Sequence, residues 1–337
     1  MHILKTATLI ISLTVYALAS QQKIPEDQRV IADVAVAGIL ESGFDEVLRF
    51  TDSVYSAGGG PNPLAAVLHL AALGMRDVDF DTMIDAPAFE RSFERARRAV
   101  DRYENIHGRS SYSVTLRGLA LGMSASFHLK NRSHIRAGDV GLEMMRVMRE
   151  ARELDSTNME VNFFLGMYDY ARADLRKRLR GVLFWFPGDK ESGIRQLEAG
   201  AAGAVITRTA CALALSDIYL KEGQPRRSRD IIHNLKRELP NSRFVFWAEA
   251  KYFEDRGMFL QAARVYARLA ESYEKEDFGA YNHLVTASRA AHNYDRAGER
   301  AAALEICQKI LARGSGGDRR ADSVIRDVQR LHGRLTR

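Results

Sequence analysis

The sequence predicts an all-α protein in which antiparallel helix pairs stack on one another as an α-solenoid. The chain has 7 prolines in 337 residues, and no stretch alternates apolar with polar residues for long, which argues against a β-sandwich or barrel. An apolar content of 46% with 27% charged residues suits a packed, soluble chain and excludes a wholly disordered one. Two helix-ending glycines, Gly223 and Gly257, lie 34 residues apart, which indicates a repeat.

The chain begins with the pattern of a secretory signal peptide, residues 1–19. Lys5 precedes an apolar run of about 14 residues, which ends in the small-x-small sequence Ala17-Leu18-Ala19. This run is shorter than the ~20 residues that a membrane-spanning helix needs. We therefore expect cleavage and an exported mature chain. An uncleaved segment that holds the protein to the membrane is the alternative.

Residues 20–108 form a divergent N-terminal helical region in this prediction. Their apolar spacing indicates four helices, but none of the four matches a repeat consensus. The glycines and prolines of residues 58–63 and the acidic run of residues 77–85 predict loops. The predicted helices cover residues 26–41, 44–56, 62–74 and 87–106.

Small and aromatic residues recur at helical spacing around the two glycines. Those around Gly257 are Phe246, Ala250, Phe253, Phe259, Ala262, Tyr266 and Leu269. Those around Gly223 are Leu215, Ser216, Tyr219, Ile232 and Leu235, followed by Pro240 as a helix stop. Small residues let two helix backbones approach and aromatic rings fill the space beside them, so the pattern predicts packed helix pairs.

These positions resemble the tetratricopeptide repeat (TPR), a helix pair of about 34 residues with a Leu-Gly, Tyr, Gly, Ala, Phe and Pro signature. Two departures are Glu249, which replaces a leucine, and Ser228, which replaces an alanine. Leu121-Gly122 and Leu165-Gly166 carry the signature upstream, and a further unit begins near Asp277.

The resemblance implies a right-handed TPR-like α-solenoid over residues 109–313. Loops inserted near residues 131–140 and 172–188 interrupt it, and residues 314–337 are predicted as a C-terminal capping helix, which repeat arrays need where the last unit meets solvent.

The stretch from Asn162 to Ala270 is also similar to exported bacterial TPR proteins of uncharacterised function. The similarity lies in Phe-Leu-Gly-Met-Tyr-Asp-Tyr, Phe-Pro-Gly-Asp-Lys-Glu-Ser-Gly and Leu-Pro-Asn-Ser-Arg-Phe. More distantly, the stretch is similar to eukaryotic TPR proteins linked to inclusion-body and lipid clearance. The resemblance implies a solenoid adaptor without catalytic residues, and we expect it in the bacterial periplasm.

The remaining motifs predict neither catalysis nor a metal or cofactor. The nine histidines form no His-x-x-x-His pair, and no Gly-x-Ser-x-Gly element is present. The glycines of residues 58–60 lack the lysine and serine of a phosphate loop. Asp77, Asp79 and Asp81 have the first spacings of a calcium loop, but its twelfth position is Ala88, so we expect an acidic loop that caps the next helix.

The net charge argues against a nucleic-acid partner, and the cysteine content argues against a disulfide-stabilised fold. A net charge of +6, from 49 basic and 43 acidic residues, is too weak and too dispersed for nucleic-acid binding. Cys211 and Cys307 are too few for a disulfide framework, so we expect two small core residues, with a bridge between them as the alternative.

The concave groove of the solenoid is the predicted binding site for a protein or peptide partner. Its aromatic anchors and charges of both signs suit an extended or helical segment. The alternative is that the aromatic rings pack between repeats and the charges are solvated, and self-association is left open. The predicted groove residues are Phe163, Met167, Tyr170, Asp217, Leu220, Lys221, Phe244, Trp247, Lys251, Glu254, Tyr281 and Arg289.

The insert of residues 172–186 supports a second interpretation, a peripheral membrane or lipid-handling protein. Basic residues precede an aromatic run there, an order that suits an anionic membrane surface. The alternative is that the aromatic run packs under the solenoid as a hydrophobic plug. The residues concerned are Arg172, Arg176, Lys177, Arg178, Arg180, Phe184, Trp185 and Phe186.

Overall fold

The computed structural model describes residues 24–57, 60–81, 86–178, 189–276, 279–314 and 318–337. These ranges contain fifteen α-helices, a short 3-10 helix (Met159–Val161) and no β-strand, which confirms the all-α prediction. The predicted signal peptide, residues 1–19, lies outside the described residues. Within the described ranges, no helix combines the length and the apolar character needed to cross a bilayer.

The helices are, in chain order, α1 (Glu26–Leu40), α2 (Phe44–Ser56), α3 (Pro63–Phe80), α4 (Ala86–His107), α5 (Ser111–Lys130), α6 (His134–Leu154), α7 (Asn162–Arg178), α8 (Lys190–Gly203), α9 (Arg208–Lys221), α10 (Pro225–Glu238), α11 (Arg243–Asp255), α12 (Phe259–Glu274), α13 (Ala280–Arg296), α14 (Arg300–Arg313) and α15 (Ala321–Leu335).

The helices form two compact units. The first contains the described residues up to Val36, Phe44–Gly74 and Ile84–Ala212, and the second contains Ala37–Gly43, Met75–Met83 and Leu213–Arg337. In the first unit, consecutive helices from α4 to α8 contact each other, and in the second the same holds from α10 to α15. The division at Ala212 falls inside residues 109–313, the range predicted as one solenoid.

Three helix pairs of the second unit are joined by the same turn. The turn residues Gly223, Gly257 and Gly298 have φ angles of 72°, 69° and 82°, a left-handed conformation that glycine adopts without a Cβ clash. After each glycine, the next N–H donates to a carbonyl five residues earlier: Gln224 to Tyr219 (2.7 Å), Met258 to Phe253 (2.8 Å) and Glu299 to Tyr294 (2.9 Å). The sequence signature marked this turn at Gly223 and Gly257, and the structure adds a third example at Gly298.

Two predicted loops are shorter than expected. The insert predicted near residues 131–140 is a turn of three residues, because α5 ends at Lys130 and α6 begins at His134. Arg132 takes the left-handed position of this turn, with φ of 58°. The loop predicted from residue 77 is also wrong at its start, because α3 continues to Phe80 and buries Asp77 and Asp79.

The C-terminal end of the second unit has an apolar core. Helices α13, α14 and α15 bury Leu284, Cys307, Ile310, Val328 and Leu331 against each other. Helix α15 carries its buried residues at spacings of three, four and seven along one face, the pattern of a helix that covers a neighbouring pair. The capping helix predicted over residues 314–337 thus corresponds to α15, which packs on α13 and α14.

Both cysteines are buried and free. Burial raises the pKa of Cys211 to about 12 and that of Cys307 to about 11, and only the thiolate is nucleophilic. We expect both thiols to react with iodoacetamide at pH 8 at least about a hundredfold more slowly in the folded chain than in urea. Labelling of the folded chain at a comparable rate, quantified by mass spectrometry, would contradict this placement.

Candidate functional site

The structure brings together six of the predicted groove residues in the second unit. They lie on α9, α11 and α13, each the first helix of a pair in the repeat frame. We call them the Trp247 surface: Asp217, Lys221, Trp247, Lys251, Glu254 and Arg289. Trp247, Lys251 and Glu254 follow each other at intervals of four and three residues, which places them on one face of α11.

Trp247 is half-buried and fixed in position from several sides. Its indole Nε1–H donates to the hydroxyl of Tyr273 over 3.0 Å, and its ring meets Tyr266 edge-on with 5.7 Å between centroids. The guanidinium of Arg289 lies 5.8 Å from the Trp247 centroid and 5.6 Å from the Tyr266 centroid. The indole is therefore held rigid between the core and the surface, as an anchor for a ligand should be.

Glu254 connects α11 to α13. Its carboxylate accepts hydrogen bonds from the Tyr266 hydroxyl (2.9 Å), from Asn293 Nδ2 (3.2 Å) and from Arg289 Nη1 (3.4 Å), and Arg296 lies 3.7 Å away. Burial, chiefly, raises the pKa of Tyr266 to about 12, so this hydroxyl remains a donor at neutral pH. Two arginines compensate the carboxylate.

Lys251 connects α11 to α9 through a row of charges. Its ammonium lies 3.7 Å from Asp217 and also bonds Asp255, while Lys221 lies 2.5 Å from Asp217. Burial is the largest single influence and would lower the pKa of Lys251, but the hydrogen bonds to Asp255 and Asp217 and the charges of these two carboxylates together outweigh it, so the pKa is raised. The side chains of Lys221, Lys251 and Arg289 are 54%, 47% and 49% exposed.

Charge pairs this exposed contribute about 0–1 kcal/mol each, because water and salt screen them. The carboxylates and ammonium groups of a bound peptide can therefore replace these pairs, and the free energy lost from each broken pair is small. The Trp247 surface thus offers a rigid aromatic anchor surrounded by charges of both signs that are easily re-paired.

The other predicted groove residues lie elsewhere. Phe163 and Met167 are half-buried in the first unit, where Phe163 packs edge-on against Phe164. Tyr170, also in the first unit, is buried with 7% exposure, and Lys190 lies 5.3 Å from its ring centroid. In the second unit, Phe244 and Leu220 are half-buried, and Tyr281 packs against the core of α13–α15 beneath Arg320, which lies 4.4 Å from its ring.

The predicted membrane insert falls almost entirely outside the described residues. Arg172 is half-buried, with its guanidinium 4.9 Å from the ring of Tyr168. Helix α7 continues to Arg178, but the side chains of residues 176–178 and the whole of residues 179–188 are not described. This covers Arg176, Lys177, Arg178, Arg180, Phe184, Trp185 and Phe186, and both interpretations of the insert stay predictions.

Sequence reasoning missed a buried ion pair beneath the Trp247 surface. Asp79 and Arg243 have side chains that are 1% and 5% exposed, and Arg243 Nη2 lies 2.7 Å from Asp79 Oδ2. Tyr273 donates to Asp79 Oδ1 over 3.0 Å, and Asn282 Nδ2 donates to the Asp79 carbonyl over 2.6 Å. The hydroxyl of Tyr273 accepts from Trp247 while it donates to Asp79, so a hydrogen-bonded chain runs from the surface indole to the buried carboxylate.

The ion pair is tightly enclosed. The Arg243 guanidinium lies 4.8 Å from the ring of Phe80 and 5.0 Å from that of Tyr273, and its Nη1 reaches Glu276 over 3.2 Å. Burial raises the pKa of Asp79, although hydrogen bonds from Arg243 and Tyr273 oppose the shift. Burial is the largest single influence and would lower the pKa of Arg243, but the hydrogen bonds to Asp79 and Glu276 and the charge of Asp79 together outweigh it, so the pKa is raised.

These contacts give Asp79 a structural partner in place of the calcium-loop role that its spacing allowed. Within the described residues, no group of three or more His, Cys, Asp or Glu side chains is arranged to hold a metal ion. Compared with known proteins, the chain matches no protein-family model and no curated protein.

Proposed function

We propose that this protein is a non-catalytic scaffold that holds a peptide or protein segment on the Trp247 surface. The proposal includes a right-handed, TPR-like stacking of the helix pairs in the second unit. Export of the mature chain to the periplasm is also proposed, from the signal-peptide pattern of residues 1–19.

One observation carries the proposal: three successive first helices contribute to a single connected surface. Lys251 of α11 contacts Asp217 of α9, and Glu254 of α11 contacts Arg289 of α13. Stacked helix pairs place their first helices side by side in this way, and such surfaces bind extended segments. The glycine turns after α9, α11 and α13 share one geometry, which supports the interpretation of these helices as the first helices of successive pairs.

Replacing Lys251 and Arg289 together by alanine is expected to weaken capture of the partner by about tenfold without unfolding the chain. Both side chains are about half exposed, so the stability cost is at most about 1 kcal/mol for each pair. The measurement is affinity capture from the native cell envelope with quantitative mass spectrometry, together with a thermal melt. Trp247 is not replaced because its indole donates into the core.

A control variant removes the same two charges elsewhere in the second unit. Lys309→Ala with Arg330→Ala alters side chains that are both 72% exposed on α14 and α15. The control should retain capture. Equal losses in both variants, or a loss that follows the melting temperature, would contradict binding at the Trp247 surface.

A further inference from the structure

The turn between α5 and α6 exposes apolar side chains beside a group of cations. Leu129 is 58% exposed and Ile135 84%, at the two sides of the turn, and Leu142 is 65% exposed two turns further along α6. Single exposed apolar residues need no explanation, but these three lie on one helical hairpin, and Ile135 and Leu142, seven residues apart, share one face of α6. Ile135 in particular projects almost its whole side chain into solvent.

Basic residues lie on both sides of the same turn. Lys130, Arg132, His134 and Arg136 occupy alternate positions from the end of α5 into α6, and Arg132 and Arg136 are both exposed. No acidic residue occurs between Glu104 and Asp139. Among the described residues, neither Arg132 nor Arg136 forms an ion pair with a carboxylate, and both residues are exposed to solvent.

The backbone of the turn adds a separate observation. Arg132 has φ of 58°, whereas the same position in three turns of the second unit is glycine. A non-glycine residue in this conformation costs roughly 1–2 kcal/mol. The turn thus carries an exposed arginine where glycine would cost less, three residues before the nearly fully exposed Ile135.

We propose that the α5–α6 turn docks the protein on the surface of a bilayer that contains anionic lipids. Ile135 and Leu129 enter the interface between headgroups and acyl chains, and Arg132 and Arg136 pair with lipid phosphates. An apolar tip flanked by cations is complementary to this surface, because apolar burial and attraction to anionic headgroups add together. This site is distinct from the basic-aromatic insert of residues 172–186 and from the Trp247 surface.

The test is co-sedimentation of the chain, purified after export, with vesicles of phosphatidylcholine and phosphatidylglycerol in a 7:3 ratio. Each lysine or arginine near an anionic surface contributes about fivefold to partitioning, so Arg132→Gln with Arg136→Gln should reduce it about thirtyfold. Ile135→Ser should also reduce it, by about fivefold. Vesicles of phosphatidylcholine alone should bind the wild-type chain weakly.

A control variant tests whether the site, and not the overall charge, is responsible. Arg226→Gln with Arg229→Gln removes two exposed charges at the start of α10 and should leave partitioning unchanged. The proposal is overturned if both double variants lose binding equally, or if the turn variants bind as tightly as wild type. It is also overturned if Ile135→Ser changes the oligomeric state, measured by light scattering, because the patch would then cover a second copy.

Discussion

Replacing Asp79 by asparagine is expected to lower the free energy of unfolding by about 3 kcal/mol or more. The change leaves Arg243 buried without its main counter-ion, and Glu276, 43% exposed, compensates it only in part. An unpaired buried charge is costly because water no longer solvates it. Urea denaturation followed by circular dichroism measures the loss.

Asp81→Asn is the matched control, with the same chemical change two residues along the chain. Asp81 is about half exposed and lies 3.7 Å from Arg320, so the change should cost less than about 1 kcal/mol. Asparagine also tolerates the φ of 48° at this position. Similar losses in the two variants would show that the Asp79–Arg243 pair is not the stabilising contact.

A double variant separates the loss of charge from the loss of shape. Asp79→Ala with Arg243→Met removes both charges, and replacing a whole buried pair by apolar groups is often neutral. The double variant should therefore be more stable than Asp79→Ala alone. Additive losses would contradict the direct coupling of the two side chains.

Replacing Gly193 by alanine is expected to destabilise the first unit by about 2 kcal/mol or more. A Cβ at Gly193 would lie 2.7 Å from the Gly166 carbonyl oxygen and 2.8 Å from the Tyr170 nitrogen. Both are backbone atoms, so α7 and α8 must separate to make room. Gly166→Ala should have a similar effect, because its Cβ would lie 2.8 Å from the Gly193 carbonyl oxygen.

Two other helical glycines provide the control. A Cβ at Gly138 or Gly141 on α6 meets no atom within 4 Å. Alanine at either position should raise stability by up to about 1 kcal/mol, because alanine is the better helix former. Urea melts of the four variants test the difference in sign. A gain from Gly193→Ala would contradict the close approach of α7 and α8.

The sequence predicted those features that depend on local spacing. The pattern around Gly257 placed α11 and α12, and it brought Trp247, Lys251 and Glu254 to one face. The start of α6 was missed because Gly138 and Gly141 weaken a helical pattern over its first two turns. The turn at Arg132 was missed because a left-handed residue is normally predicted from a glycine, and this turn contains none.

The buried ion pair could not be predicted in this way. Asp79 and Arg243 are 164 residues apart in the chain, and periodicity carries no information about a contact at that separation. Asp79 has the spacing of a loop carboxylate, whereas Arg243 follows the helix stop at Pro240 as an ordinary first helical residue. Asp79 is buried because α3 continues to Phe80, and the sequence predicted a loop there.

Site-specific photocrosslinking tests the scaffold proposal most directly. A photoreactive benzoylphenylalanine is placed at residue 251 on the Trp247 surface and, in separate chains, at residues 135 and 309, and the cell envelope is irradiated. The scaffold account predicts a reproducible protein adduct from position 251 and none from position 309. Protein adducts from position 309 alone, or no protein adduct from position 251 while position 135 yields lipid adducts, would contradict it and leave the membrane as the partner.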